Sequence, residues 1–298
     1  MTYLESFTFP SQEAESGYFS NPYRPTYYQS NYPFQVFPQK GMDRVEFSDI
    51  TIFCGSNGSG KSTTLNVIGE KLGLRRDSQF NSTELYRDYV EMTDMELNVY
   101  DRAKLRELYA VSRIITSDDV FNHILSVREQ NDAKDFQRNV ILQQRREYRN
   151  DEDSRPREID FDDPSSFRKY KDYADMTRKS YSGYVRSRGV INERTYSNGE
   201  NGFKYFTDAI KPGGIYLLDE PENSLSAQLQ TELADYLAGM ARFYDCQFII
   251  SSHSPFMLSM PFARIYDMDS APVCRRKWTE IPSVKIYHDF FVQHADEF

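Results

Sequence analysis

The chain has 298 residues and a formal net charge of −9, from 45 acidic and 36 basic side chains, with 22 Tyr and 21 Phe. That length can bury a proper core in one large or two small domains, and the acidic balance argues against wholesale coating of nucleic acid. No run approaches an apolar membrane span, Glu5 interrupts any signal pattern near the start, and Cys54, Cys246 and Cys274 are too few and too scattered for a disulfide framework or metal cluster. The expectation is a soluble cytoplasmic protein with reduced thiols.

Residues 1–49 alternate short strand patterns, Leu4 to Phe9, Phe34 to Pro38 and Val45 to Ser48, with a loop rich in Pro, Tyr and Asn. Pro22, Pro25 and Pro33 forbid a helix or a central strand in that loop, so a small antiparallel sheet is expected. One of its aromatics can stack on a base, with Tyr32 and Phe34 among the candidates; core and loop packing is the commoner use of such rings.

Ile50, Ile52 and Cys54 mark a strand that breaks into Gly55, Ser56, Asn57, Gly58, Ser59 and Gly60, then Lys61, Ser62 and Thr63 open a helix reaching about Leu72. The string G-x-x-x-x-G-K-S between a strand and a helix is a phosphate-binding loop. Glycines let consecutive backbone N–H groups close around a phosphate, and the helix N-terminus adds partial positive charge. Lys61 is expected to bridge the β- and γ-phosphates of ATP, and Ser62 to offer its hydroxyl to Mg²⁺.

From 83 to 110 the spacing of Leu85, Tyr89, Leu105, Leu108 and Tyr109 predicts helix. The strand pattern V-S-R-I-I-T then meets S-D-D, where Ser117, Asp118 or Asp119 either lies beside a metal or caps the next helix; the cap is the favoured reading. A long polar helix over 120–150 and an acidic linker to about Pro164 follow. Residues 164–196 hold eight basic side chains against three acidic ones, interleaved with Tyr170, Tyr173, Tyr181 and Tyr184. The pattern suits DNA or RNA binding, although a solvated helical face is its more frequent meaning.

Gly213 to Glu222, G-G-I-Y-L-L-D-E-P-E, reads as a buried strand that delivers two carboxylates at its end. Asp219 is placed for the Mg²⁺ shell, and Glu220, pointing to the other face, can polarise an attacking water. The pair implies hydrolysis.

Ser197 in Y-S-N-G-E-N, the string E-P-E-N-S-L, and His253 at the end of the strand pattern in C-Q-F-I-I-S-S-H-S-P complete a set. With them the chain resembles the ABC-type ATPase superfamily. E-P-E-N-S-L and I-I-S-S-H-S-P look most like the often AAA-annotated relatives of the OLD and RecF proteins, common in antiphage systems. The likeness spans 50–72 and 195–258 well and the remainder loosely. It implies an α/β P-loop ATPase head with an N-terminal antiparallel β-subdomain and a helical insertion. Its parts would be 1–49 (β-subdomain), 50–119 (first half of the core), 120–210 (helical insertion with the signature motif) and 211–298 (second half of the core).

The resemblance further implies a head-to-tail homodimer with ATP sandwiched between copies. Ser197 and Gly199 would reach the γ-phosphate on the partner's loop, Asn223 and Ser224 would cross the interface, and His253 would be the switch histidine that contacts the γ-phosphate. Two departures stand out. Tyr196 and Asn198 replace the usual Leu and Gly of the signature, and Ser117 and Asp118 occupy the approximate place of a missing Q-loop glutamine. The stretch after His253 is too short for a nuclease domain, so an ATP-gated switch for a separate effector, such as a nuclease, is the leading expectation. A nucleic-acid-binding repair or recombination ATPase is the alternative. His288 and His294 lack partners at metal spacing and are expected at the surface.

Overall fold

The computed structural model describes residues 2–20, 30–80, 82–150, 170–171, 173–174, 178–189, 197–223 and 225–298. Two compact units emerge, one from Met1–Phe121 with Ser197–Phe298 and one from Asn122–Tyr196. Pro22, Pro25, Tyr196, Ser224 and most of the 151–196 stretch lie outside the described residues.

The first unit is organised around a six-stranded sheet in the order β5 (Arg113–Thr116), β6 (Ile215–Asp219), β7 (Gln247–Ser251), β3 (Ile50–Cys54), β8 (Arg264–Asp267) and β9 (Cys274–Arg275). The first five strands run parallel, and β9 closes one edge antiparallel. β3 and β7 are buried along their whole length, so the intervening Thr51 and Phe53 of the alternating Ile50, Ile52 and Cys54 pattern are buried too. Parallel register aligns the carboxyl ends. Asp219 lies beside Ser251 on one side and Thr116 on the other, and Cys54 beside Asp267. All the chemistry-bearing turns therefore leave from one edge of the sheet.

The helix Lys61–Leu72 covers that sheet with Leu65, Val67, Ile68 and Leu72 buried, each burial contributing about 1.5–3 kcal/mol. A second sheet, antiparallel in the order β2 (Arg44–Glu46), β1 (Leu4–Thr8), β4 (Asp94–Leu97), shares the same core. Gln247 joins the two sheets. Its Oε1 accepts from the amides of Tyr3 (3.0 Å) and Leu4 (2.8 Å), while its Nε2 donates to the carbonyls of Leu4 (2.9 Å) and Ser48 (3.2 Å).

Two expectations about this region change and a third, the helix cap at S-D-D, is met with a different partner. Phe34 to Pro38 forms a turn leading into a 3-10 helix at Pro38–Lys40, not a strand. Phe34 and Phe37, three residues apart, are both buried, which a strand's alternation would not allow. The 83–110 stretch is two helices, Glu84–Glu91 and Arg102–Val111, with β4 between them. The alternating D-M-E-L there matches β1's free edge, and pairing overrides the helical spacing around it. Third, β5 passes straight into the helix Ser117–Asn150, and Asp119 is buried in its first turn, accepting from the Thr116 amide (2.8 Å) and hydroxyl (3.0 Å). The S-D-D segment is thus engaged in helix capping, although Thr116 rather than Ser117 forms the reciprocal bond.

In the second unit, Arg145 lies over the rings of Tyr181 (4.6 Å) and Tyr184 (5.1 Å) and donates to the Lys179 carbonyl. Arg188 bonds the Tyr184 hydroxyl at 3.2 Å. Tyr184 is buried, so of the four tyrosines expected to meet bases this one is used internally.

Candidate functional site

The loop after β3 is shaped by two glycines. A Cβ at Gly55 would stand 2.7 Å from Ser59 Oγ, and Gly60, the helix N-cap, has φ +92, which L side chains adopt only with strain. Between them Ser56, Asn57 and Gly58 form an exposed crest. Lys61 is only 4 % exposed, and its ammonium is satisfied within the loop by the carbonyls of Gly55 (2.8 Å) and Ser56 (3.2 Å). Such a buried, locally satisfied cation can exchange carbonyl partners for phosphate oxygens without a new desolvation cost.

The two halves of the site meet at Asp219. Ser62 Oγ donates to Asp219 Oδ1 at 3.0 Å, and Ser251 Oγ donates to the same oxygen. Burial pushes the Asp219 carboxyl up, the Ser251 and Ser62 hydroxyls pull it down, and the Glu220 charge pushes it up again. A divalent cation would relieve that burden. Ser62 and Asp219 supply the hard oxygens Mg²⁺ prefers, with the remaining positions left to water and phosphate. Among the described residues no group of three or more His, Cys, Asp or Glu is placed to hold a metal ion.

Glu220 does not continue the strand's alternation, as the sequence suggested. It turns left-handed at φ +48, and its amide bonds the Ser251 carbonyl at 3.1 Å. That turn swings the carboxylate back over the loop, 3.6 Å from Lys61 and 4.0 Å from His253 Nδ1, while Asn223 donates to its other oxygen at 3.1 Å. A non-glycine residue is held there only at the cost of local backbone strain.

Of the other expected residues, Thr63 accepts a hydrogen bond from the Tyr32 hydroxyl at 3.1 Å. Tyr32 is 40 % exposed, its ring stacked on buried Tyr86, and burial together with the Asp219 charge pushes its phenol up. Phe34 is instead buried against Tyr18 and Tyr89 and offers no free face. Ser197 caps the helix Asn198–Ala209 in a capping box with Glu200. Among the described residues no hydrogen bond joins Ser197 or Gly199 to the 55–62 loop. His288 and His294 lie at the surface, against Asp289 and Glu297.

Three participants escaped the sequence reading. Ser251 sits between Asp219 and Glu220, bonded to both. Glu222 is buried and gathers the 252–254 backbone. Asp269 accepts from both the amide and the hydroxyl of Ser56, each at 2.8 Å, bracing the loop from the turn after β8. The available signal for Asp269 was a second carboxylate-bearing strand end, R-I-Y-D-M-D.

The parallel sheet, the glycine loop opening a helix and the Ser62–Asp219 junction form an α/β core with phosphate-loop geometry at its strand ends. Residues 205–259 match the family model described as "AAA domain, putative AbiEii toxin, Type IV TA system". No curated protein matches the chain. Among solved structures, the chain is similar to an Smc head domain of Pyrococcus furiosus bound to the C-terminal domain of ScpA (15 % identity, TM-score 0.44, 97 % of this chain and 100 % of that one). It is also similar to the SMC head domain of Thermotoga maritima (12 %, TM-score 0.40, 93 % and 99 %) and to cbiO1 of Clostridium perfringens, part of an ABC transporter complex (14 %, TM-score 0.37, 84 % of each). At such scores these likenesses add nothing to what strand order and loop geometry establish. Among the described residues no helix is long and apolar enough to cross a membrane.

Proposed function

We propose that the protein binds and hydrolyses ATP with Mg²⁺ and uses the cycle as a homodimeric switch for a separate effector. The carrying observation is the convergence on one spot of Lys61, Ser62, Asp219, Glu220 and His253: Ser62 on Asp219 at 3.0 Å, and Glu220 between Lys61 at 3.6 Å and His253 at 4.0 Å. Gly55 to Thr63 cradle the phosphates, and Tyr32 presents its half-exposed ring for adenine beside Thr63. Bound Mg²⁺ supplies charge neutralisation for the phosphates at Ser62 and Asp219. Glu220 orients the attacking water and accepts its proton, while His253 holds the outer phosphate oxygens and Lys61 compensates the charge gathering on them.

Ser197 and Gly199 make no bond to the loop of their own chain, and on this reading they close over the nucleotide of a second, head-to-tail copy. The chain then acts as one ATPase domain with 120–210 as its helical insertion. On this reading the switch works in the cytoplasm in a system of antiphage type; the family model matched over residues 205–259 carries the words putative AbiEii toxin of a type IV toxin–antitoxin system. The effector on this reading is a different polypeptide, a nuclease being one candidate.

The test is Glu220→Gln, a substitution that keeps an acceptor for Asn223 and removes the base together with its charge beside Lys61. Turnover is expected to fall by about 10²–10⁴-fold with ATP binding retained, the range general-base loss gives, and an ATP-dependent dimer should accumulate. Unchanged turnover, or a variant that stays monomeric with ATP, sinks the corresponding half of the reading.

A further inference from the structure

Glu222 is a carboxylate that is 4 % exposed, in the turn after β6 and outside the constellation described above. Its Oε1 accepts from the Ser252 hydroxyl (2.7 Å) and the amides of His253 (2.9 Å) and Ser254 (3.3 Å). The same oxygen lies 3.3 Å from His253 Nδ1. Oε2 is buried with no hydrogen-bond partner among the described residues. No Lys or Arg forms an ion pair with Glu222 there; His253 alone is within ion-pair distance.

A neutral glutamine could accept the same bonds without burying a charge that is costly to desolvate. The charge adds two things: stronger, charge-assisted bonds to the 252–254 turn and a field on the imidazole. His253 Nδ1 is nearer to Glu222 than to Glu220, 3.3 against 4.0 Å, and Glu222 is the buried member of the pair, so its field on the ring is the less screened. A carboxylate facing one ring nitrogen fixes which nitrogen carries the proton.

We propose that Glu222 is a positioning residue for His253: it holds the 252–254 turn through its backbone and selects the Nδ1–H tautomer, leaving Nε2 as the nitrogen that meets the nucleotide. Glu220 is thereby free to act on water, and the two glutamates of E-P-E have separate tasks. Gln230 completes the support: Ser254 Oγ donates to its Oε1 at 2.7 Å, while its Nε2 donates to the Leu225 carbonyl at 3.0 Å. The consequence for turnover rests on the ATPase reading; the tautomer does not.

The test is two-bond ¹H–¹⁵N spectroscopy of the nucleotide-free full chain, labelled at its four histidines, in mildly alkaline buffer where imidazole is neutral. His253→Gln assigns the resonance. The wild type is expected to show His253 mainly as Nδ1–H, and Glu222→Gln to move it toward Nε2–H while the other three histidines stay put. A wild-type His253 that is mainly Nε2–H overturns the proposal whether or not Glu222→Gln folds. So does a Glu222→Gln spectrum identical to wild type. In ATP turnover, Glu222→Gln should lower kcat by about 10- to 100-fold with KM little changed, as loss of a histidine's carboxylate partner does elsewhere. An unchanged kcat also counts against it. If Glu220→Gln still hydrolyses ATP normally while the tautomer shifts as stated, the functional reading fails and the positioning role stands.

Discussion

Gln247→Met is the sharpest probe of how the two sheets are joined. Methionine keeps the length and apolar bulk of a side chain that is 0 % exposed, but it can neither accept from the Tyr3 and Leu4 amides nor donate to the Leu4 and Ser48 carbonyls. Each buried backbone group left unpaired costs about 1–3 kcal/mol, so the two amides alone set a range of about 2–6 kcal/mol, to which the carbonyls can only add. Leu4 is fully buried, whereas Tyr3 is half-buried and water can reach its amide, which favours the lower half, about 3 kcal/mol. With a urea dependence of about 2–3 kcal/mol per molar, the unfolding midpoint should fall by about 1–1.5 M. Urea melts followed by circular dichroism read the midpoint, and hydrogen exchange reads the Tyr3 and Leu4 amides directly. A midpoint within about 0.2 M of wild type, with both amides still protected, would refute the reasoning, because β1 would then be docked by something other than this side chain.

Further outcomes follow from the same geometry. Gly60→Ala finds room for its methyl, Val36 being 3.4 Å away, so its harm comes from φ +92; about 1–2 kcal/mol of strain and loss of the nucleotide-induced rise in Tm are expected, and a full rise would argue against the loop's role. Burial pushes the Cys54 thiol up to about 12 and raises Cys246 as well, so at pH 8 a thiol reagent should label half-buried Cys274 in the native protein and the other two only in denaturant; mass spectrometry of the labelled peptides decides it. The Arg275 guanidinium on Glu46 holds that carboxyl below its usual range. Because the folded value is the lowered one, the stabilisation is present above the unfolded value and lost as pH falls through the folded one; Arg275→Met should move the Glu46 midpoint upward by NMR titration, and an unmoved midpoint would discount the pair.

Much of the site was legible locally. A glycine loop between an apolar strand and a helix is set by backbone sterics over a few residues, and unbroken apolar runs ending in Asp219 or before His253 announce strands buried on both faces. Phe34 and the 94–97 strand differ from the sequence expectation for a common reason: a short aromatic or alternating stretch takes its conformation from what it packs against, and Tyr89 and β1 are distant in sequence from them.

By itself, then, the sequence determined the class of site: a phosphate loop, a strand-end carboxylate pair and a strand-end histidine, each carried by local backbone chemistry. Tertiary structure alone decided which of these groups touch. Ser62 reaches Asp219 across 157 residues of chain because parallel register brings the ends of β3, β6 and β7 to one edge. The same register seats Ser251 between the carboxylates, puts Asp269 under Ser56, and buries Glu222 against the turn that carries His253. Those contacts depend on burial and distance, quantities that no spacing within a linear motif records.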